Sequence, residues 1–165
     1  NTGSACYAYD IESKLWSRWT WQASSNFALE NSVNANTSSG YKTFFSLTGT
    51  SAIYRFDESL YQDNGTTFPA SVVTDNEEFD SYNQKAMHRL TVWTDKPTAS
   101  ATGTLQWTDD DYQNYNTGQS IDLYSELPSA YRLGRFRRRA FKWTFTQNQP
   151  HRLKGFEVDI NLGNH

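Results

Sequence analysis

A block of arginines is the most chemically distinctive stretch of this sequence. Five arginines fall within eight residues, namely Arg132, Arg135, Arg137, Arg138 and Arg139. A guanidinium group donates hydrogen bonds in a planar fork that fits carboxylates and phosphates. The block could therefore grip nucleic acid, form ion pairs with a neighbouring protein subunit, or pair with acidic residues of its own chain.

The charge of the whole chain weighs against nucleic acid. The 165 residues carry 15 Lys and Arg against 18 Asp and Glu, a formal net charge of −3. A chain with this balance does not attract DNA overall, and one cationic patch would hold phosphate weakly and release it as salt rises. Contact with another subunit, or pairing with local acids such as Asp109 to Asp111, explains the block better.

The remaining reactive side chains form no recognisable site. His88, His151 and His165 stand at no spacing typical of zinc ligands. Asp109 to Asp111 could bind calcium with loop carbonyls, but the spacing of an EF-hand loop is missing, and a solvated turn is the simpler interpretation. No nucleophile or phosphate-loop motif is present, and Cys6 is the single cysteine. We expect no enzyme activity, no metal or cofactor and no internal disulfide.

Strand periodicity makes the arginine block unusual. In Tyr131 to Phe145 a strict period of two places three arginines on the same face as the aromatic residues that follow. Continuing a core face with arginines is costly unless they are paired or emerge into solvent. We therefore expect the strand to leave the core before Arg139, or a bulge between Gly134 and Ala140 to exchange the faces. Either arrangement turns the arginines into a partly exposed ribbon.

Composition and patterning predict an all-β protein. Aromatic residues make up 16% of the chain, and the abundance of Thr, Ser and Asn favours strands and turns. Cys6 to Trp21 has the alternation of a hairpin, and a second hairpin surrounds a turn at Gly49 to Ser51. The Ser/Asn-rich stretch Asn31 to Gly40 is expected to be the loop between them. Residues 1–60 are thus predicted to be the last strands of an incomplete β-propeller blade, although the spacing of these hairpins also fits a sandwich.

Residues 61–165 are predicted to form an antiparallel β-sandwich. Strands are expected in KAMHRLTVWTD, GTLQWTDDD, QSIDLYS, the arginine-aromatic stretch and RLKGFEVDINL, where alternate residues from Phe156 to Leu162 share one face. TTFPASVVTD is expected to be an edge strand because of Pro69, and NEEFDSYNQK is compatible with a short helix. No stretch is apolar over the roughly 20 residues that a membrane span needs. Because residue 1 is Asn and not Met, we expect the chain to begin within a longer translation product.

The C-terminal sequence LYSELPSAYRLGRFRRRAFKWTFTQNQPHRLKGFEVDI resembles the end of the packaged-DNA stabilisation, or tail hub and nozzle, proteins of short-tailed bacteriophages such as those of Salmonella. The family pattern is an aromatic residue followed by an Arg- and Gly-containing block, a strand, a proline turn and a strand with L-x-G. Its counterparts here are Tyr131, Arg132, Leu133, Gly134, Arg135, Arg137, Arg138, Pro150, Leu153 and Gly155. Upstream, LTVWTDKPTASATGTLQWTDDD is similar to the family's strand pair with an acidic turn. IYRFDESLYQDNG resembles the exit from its propeller, and YAYDIESKLWSRW resembles the last blade.

This resemblance implies a structural virion protein rather than an enzyme. Family members form a hexameric ring in the tail that docks on the portal or its adaptor and carries tailspikes or fibres and a plugging needle. The ring retains packaged DNA and lets double-stranded DNA pass without sequence-specific binding, and the tail is assembled in the bacterial host cytoplasm. Under this interpretation the five arginines are candidate subunit-contact residues.

A carbohydrate-binding module is the alternative. Trp and Tyr are numerous, with 6 and 10 copies, and polar loops accompany them. Aromatic rings stack on sugars while polar loops donate hydrogen bonds, so a β-sandwich or propeller with this composition fits glycan binding. Trp107 lies beside the acidic run Asp109 to Asp111, and loss of glycan binding in Trp107→Ala would favour this alternative.

Overall fold

The structure is a computed structural model that describes residues 6–22 and 25–163. Within these ranges the secondary structure consists of strands with connecting turns, so the predicted all-β class is confirmed. The chain divides into two compact units, Asn1–Phe68 and Pro69–His165. None of the segments described is a helix long and apolar enough to cross a lipid bilayer.

The first unit is built from small antiparallel sheets. Its strands are β1 (Cys6–Tyr9), β2 (Trp16–Trp21), β3 (Ser25–Asn26), β4 (Leu29–Thr37), β5 (Gly40–Leu47), β6 (Ile53–Arg55), β7 (Gln62–Asp63) and β8 (Thr66–Thr67). They form the sheets β1-β2-β3, β4-β5-β6 and β7-β8. Both predicted hairpins are confirmed, as β1-β2 and β5-β6.

The predicted loop between the hairpins is wrong. Most of Asn31 to Gly40 belongs to β4, which pairs with β5 from Leu29 opposite Leu47 to Thr37 opposite Gly40. Asn and Ser are depleted in strands, but β4 is almost entirely exposed, so its polar side chains stay in water while its backbone joins the ladder. The strand is held by backbone pairing rather than by an apolar face.

Aromatic packing makes the core of the first unit. Phe27, Phe45 and Leu47 are buried, and Trp21 and Tyr54 pack against them. The rings of Trp21 and Tyr54 meet edge to face at 5.0 Å between centroids, a favourable arrangement. Whether these strands are part of a propeller blade stays a prediction.

The division between the units falls later than the predicted boundary between residues 60 and 61. The β7-β8 hairpin joins the first unit, since the Asp63 carboxylate accepts a hydrogen bond from the Gln22 backbone N–H at 2.9 Å. That bond links the hairpin to the end of β2. The segment Pro69–His165 then begins at the proline that precedes the next strand.

The second unit contains two antiparallel sheets that share one core. Its strands are β9 (Ala70–Val73), β10 (Lys85–Thr94), β11 (Thr102–Thr108), β12 (Gln119–Asp122), β13 (Ser129–Phe136), β14 (Ala140–Phe145) and β15 (Leu153–Leu162). The sheet orders are β13-β10-β15 and β12-β11-β14-β9. Their facing side chains bury one apolar cluster that includes Met87, Leu90, Leu105, Leu133 and Trp143. This arrangement agrees with the predicted sandwich-like fold.

Most strands of the second unit lie where the sequence predicts them, and three details differ. TTFPASVVTD is not one strand, because Pro69 separates β8 from β9 and has no N–H for a ladder. NEEFDSYNQK forms no helix; Phe79 and Asp80 have left-handed backbones instead. Leu162, expected on the core face of β15, is 59% exposed at the end of the strand.

Candidate protein-contact site

The arginine block spans the crossing from one sheet to the other. β13 ends at Phe136 in the three-stranded sheet, and β14 begins at Ala140 in the four-stranded sheet. The expected exit of the strand before Arg139 is therefore found. We call the turn formed by Arg137, Arg138 and Arg139 the arginine corner.

A bulge in β13 decides where the first two arginines point. The left-handed φ values of Arg132 and Gly134, 58° and 80°, coincide with a register shift against β10. The extra residue breaks the period of two, as bulges do, so that Leu133 and Phe136 both face the core. Arg132 and Arg135 are left exposed on the strand, as expected.

Arg137 and Arg138 occupy the tip of the arginine corner. Both are exposed, and together with Tyr82 and Asp109 they line an open cavity of about 380 Å³. Arg137 Nη1 donates a long hydrogen bond, 3.5 Å, to the Tyr82 carbonyl. Arg138 Nη2 pairs with Asp111 Oδ2, and both side chains are 47% exposed. Since exposed pairs of this kind contribute about 0–1 kcal/mol, Arg138 can exchange Asp111 for another carboxylate at small cost.

Arg139 is buried, which corrects the expectation that all five arginines form an exposed ribbon. Its Nε and Nη2 donate to Asp109 Oδ1 and Oδ2 at 2.7 and 2.8 Å, and its Nη1 donates to the Leu133 carbonyl at 2.6 Å. The guanidinium carbon lies 4.3 Å from the Phe136 ring centroid and 5.4 Å from that of Trp107. A guanidinium can be buried when its donors and charge are matched in this way. Arg139 cannot serve as a contact residue while it makes these bonds.

Lys85 is a second buried cation beneath the corner, and sequence reasoning did not identify it. Its Nζ donates to the carbonyls of Ser81, Asn83 and Arg137, the last two at 2.9 and 2.7 Å. All three ammonium donors are thus used on backbone oxygens, one of them in the arginine corner. The bond to the Arg137 carbonyl fixes the backbone from which the two exposed arginines project.

The backbone of Arg139 is held as well. It forms an isolated antiparallel bridge with Glu77, with the Glu77 N–H donating at 2.9 Å and the Arg139 N–H donating at 3.1 Å. Side-chain and backbone bonds therefore restrain the corner from both sides. A turn restrained in this way presents Arg137 and Arg138 in a defined position.

The acidic turn has structural roles. Asp109 holds Arg139, and Asp111 pairs with Arg138. Asp110 accepts hydrogen bonds from Thr108 Oγ1 at 2.6 Å and from the Asn114 N–H at 2.9 Å, which lower the pKa of its carboxyl to about 2. In the residues that the structure describes, no three His, Cys, Asp or Glu side chains are grouped so as to hold a metal ion.

The two histidines within the described ranges lie apart and take part in local packing. His151 Nε2 accepts the indole N–H of Trp143 at 2.9 Å, and its ring stacks on Phe145 at 4.3 Å between centroids. Burial lowers the pKa of His151, while the nearby Asp95 opposes that shift. His88 lies 3.0 Å from the Asn161 side chain, and His165 is outside the described residues.

Comparison with known proteins gives no family assignment: no family model matches the chain, and no curated protein is significantly similar to it.

Proposed function

We propose that this chain is a structural component of a multi-subunit assembly and contacts a neighbouring polypeptide through the exposed arginines Arg132, Arg135, Arg137 and Arg138. The observation that carries the proposal is the restrained turn at the arginine corner. Two buried cations, Lys85 and Arg139, hold this turn through the Arg137 carbonyl and through Asp109.

Restraint of the corner favours a protein partner because binding then orders fewer groups. Fixing a rotamer-rich side chain or a loop on binding costs free energy, and a pre-ordered backbone reduces that cost. Arginine is enriched at protein interfaces, where it can bind carboxylates with two parallel hydrogen bonds. The mixed charge at the corner, where Asp111 accompanies Arg138, suits a protein surface better than a uniformly anionic phosphate backbone.

The assembly that we propose is the tail of a short-tailed bacteriophage. Support for it comes from the sequence resemblance, in which the arginine block is the most specific element. In that setting the chain belongs to a tail hub or nozzle ring around the DNA exit channel, between the portal or adaptor and the spikes, fibres or needle. The ring would retain packaged DNA, and the contacts of its arginines would be with neighbouring protein chains.

The test reverses charge at the corner and measures assembly. Arg137→Glu combined with Arg138→Glu should leave the purified chain folded but prevent its incorporation into tails. The matched control is Lys96→Glu combined with Arg152→Glu, which changes the charge equally in the loops at the other end of β10, about 30 Å away. Virions of normal composition and infectivity carrying the corner double variant would contradict the proposal.

Carbohydrate binding is the second candidate, but not through Trp107. The Trp107 ring is half-buried against the core and stacks over Arg139, so it is not a free platform. Trp93 is 52% exposed on the outer face of the three-stranded sheet, and its indole N–H donates to Glu157 at 3.1 Å. Glycan-array binding that Trp93→Ala abolishes would favour this candidate, whereas no binding across a broad array would weaken it.

A further inference from the structure

One side of the sandwich leaves its inner face incompletely covered. In the three-stranded sheet, the core-facing residues of β10 and β13, such as Leu90 and Leu133, are at most 4% exposed. Phe156, Val158 and Ile160 face the same core from β15 but are only half-buried. On the facing sheet Val72 of β9 lies opposite the buried Trp143 and is 48% exposed. The edge strands β15 and β9 therefore expose apolar side chains of the inner face, whereas the corresponding side chains of β10 and β13 are buried.

Side chains cap the opposite edge of the same sheet. On β13 the Tyr131 carbonyl accepts a hydrogen bond from Gln119 Nε2 at 3.1 Å, and the Leu133 carbonyl accepts one from Arg139 at 2.6 Å. The bulge at Arg132 further distorts this strand. Capping and bulging are recognised ways to stop an edge strand from pairing with another chain.

Among the described residues β15 lacks side-chain caps of this kind, and its one bulge lies near its start, where Lys154 is the extra residue between the Trp93–Gly155 and Thr94–Leu153 pairs. From Gly155 to Leu162 the strand has no extra residue and no left-handed backbone, and in the described part of the chain β15 pairs with β10 alone. β9, the other edge on this side, has only four residues and is preceded by Pro69. From Gly155 to Leu162, β15 is thus the longer, regular edge with unpaired backbone groups, which is the geometry that accepts an added strand.

The side chains of β15 specify the chemistry of that added strand. Glu157 and Asp159 are exposed on the outer face, while the half-buried apolar residues alternate with them. Neither carboxylate lies within ion-pair distance of a cation in the described ranges, although Arg89 is the ladder partner of Asp159. Opposite charges on neighbouring strands stabilise a sheet, so the complementary strand carries cations at alternate positions.

We propose that the free edge of β15 binds an extended segment of a partner protein in which apolar residues alternate with lysine or arginine. Backbone hydrogen bonds to the edge give the affinity, the apolar side chains cover Phe156, Val158 and Ile160, and the cations meet Glu157 and Asp159. This inference does not rest on the proposed function, because it concerns the edge of the sheet opposite to β13.

The experiment uses the full chain and two synthetic peptides as long as β15. One peptide alternates valine with lysine and the other alternates valine with glutamate, both with blocked ends and a fluorescent label. Anisotropy titration measures affinity, and hydrogen exchange with mass spectrometry locates the site. The lysine peptide should bind about tenfold more tightly than the glutamate peptide and should protect amides of β15.

A charge-swap variant distinguishes loss of charge complementarity from loss of folding. Glu157→Lys combined with Asp159→Lys should reverse the preference, so that binding of the glutamate peptide also demonstrates a folded edge. Glu126→Lys, in the loop between β12 and β13, is the control and should keep the original preference. Absence of peptide binding, equal affinity for both peptides, or protection of residues other than β15 would overturn the inference.

Discussion

The buried arginine of the corner gives the sharpest stability prediction. Arg139→Met removes the paired bonds to Asp109 and the bond to the Leu133 carbonyl but keeps most of the aliphatic volume. The freed Asp109 carboxylate is 41% exposed and can be hydrated, so the penalty for leaving it unpaired is moderate. The Leu133 carbonyl loses a partner in a buried region, which costs about 1–3 kcal/mol.

Together these terms predict that Arg139→Met lowers the free energy of unfolding by about 3 kcal/mol, which is near the lower limit for breaking a buried ion pair. The matched control is Arg138→Met, which removes the adjacent, exposed pair with Asp111 and should cost about 0–1 kcal/mol. The two variants make the same chemical change at neighbouring positions, but Arg139 is buried and bonded to both Asp109 oxygens and to the Leu133 carbonyl, whereas Arg138 makes one exposed pair. The difference between their free energies of unfolding therefore measures what the buried contacts of Arg139 contribute.

Unfolding in urea is monitored by hydrogen exchange in the peptides of the digested chain that cover β13 and β14. These peptides report unfolding of the second unit by itself. The Arg139→Met variant should lose protection at clearly lower urea than the Arg138→Met variant. Equal destabilisation by the two changes, or a loss below about 1 kcal/mol for Arg139→Met, would refute the reasoning that the buried guanidinium holds the corner.

Three further predictions concern the same unit. Because burial lowers the pKa of His151 below 6.5, the unfolded chain binds more protons just below that pH, so stability should fall from pH 6.5 down to the folded-state pKa. The urea midpoint should depend on pH in this range, and His151→Gln should remove that dependence. An unchanged pH dependence in the variant would contradict its assignment to His151. A Cβ at Gly103 would overlap the Trp143 indole, so Gly103→Ala should lower stability by about 1–3 kcal/mol in denaturant titrations, and an unchanged midpoint would contradict that overlap. Asp110→Asn should speed hydrogen exchange at the Asn114 amide, which donates to that carboxylate, and unaltered exchange there would show that the bond does not order the turn.

The sequence predicts best where local alternation agrees with burial. In β15 apolar and charged residues alternate, and the structure places Phe156, Val158 and Ile160 against the core as that period requires. Leu162 departs from the pattern only because the strand ends there. Polar β4 was missed for the opposite reason: its stability comes from backbone pairing with β5, which leaves no apolar signature.

The arginine corner could be predicted only in part because its partners come from distant segments. Alternation indicates that the arginines must leave the core face, and the strand does end before Arg139. It cannot indicate that Arg139 returns to the interior, since Trp107 at the end of β11 and Asp109 in the turn after it come from about thirty positions earlier. The run Asp109 to Asp111 was the available signal, and local pairing was one of the alternatives that it supported. Lys85 gave no signal, because its acceptors are backbone carbonyls.

Arginine-specific chemical labelling of intact virions tests most directly whether the corner is an assembly surface. Arg137 and Arg138 should react with phenylglyoxal in the isolated chain and be protected in the assembled particle. Arg139 should be unreactive in both, and Arg152, whose side chain is 72% exposed, provides the reactive reference. Equal labelling of Arg137 and Arg138 in the isolated chain and in the particle would contradict the proposed contact.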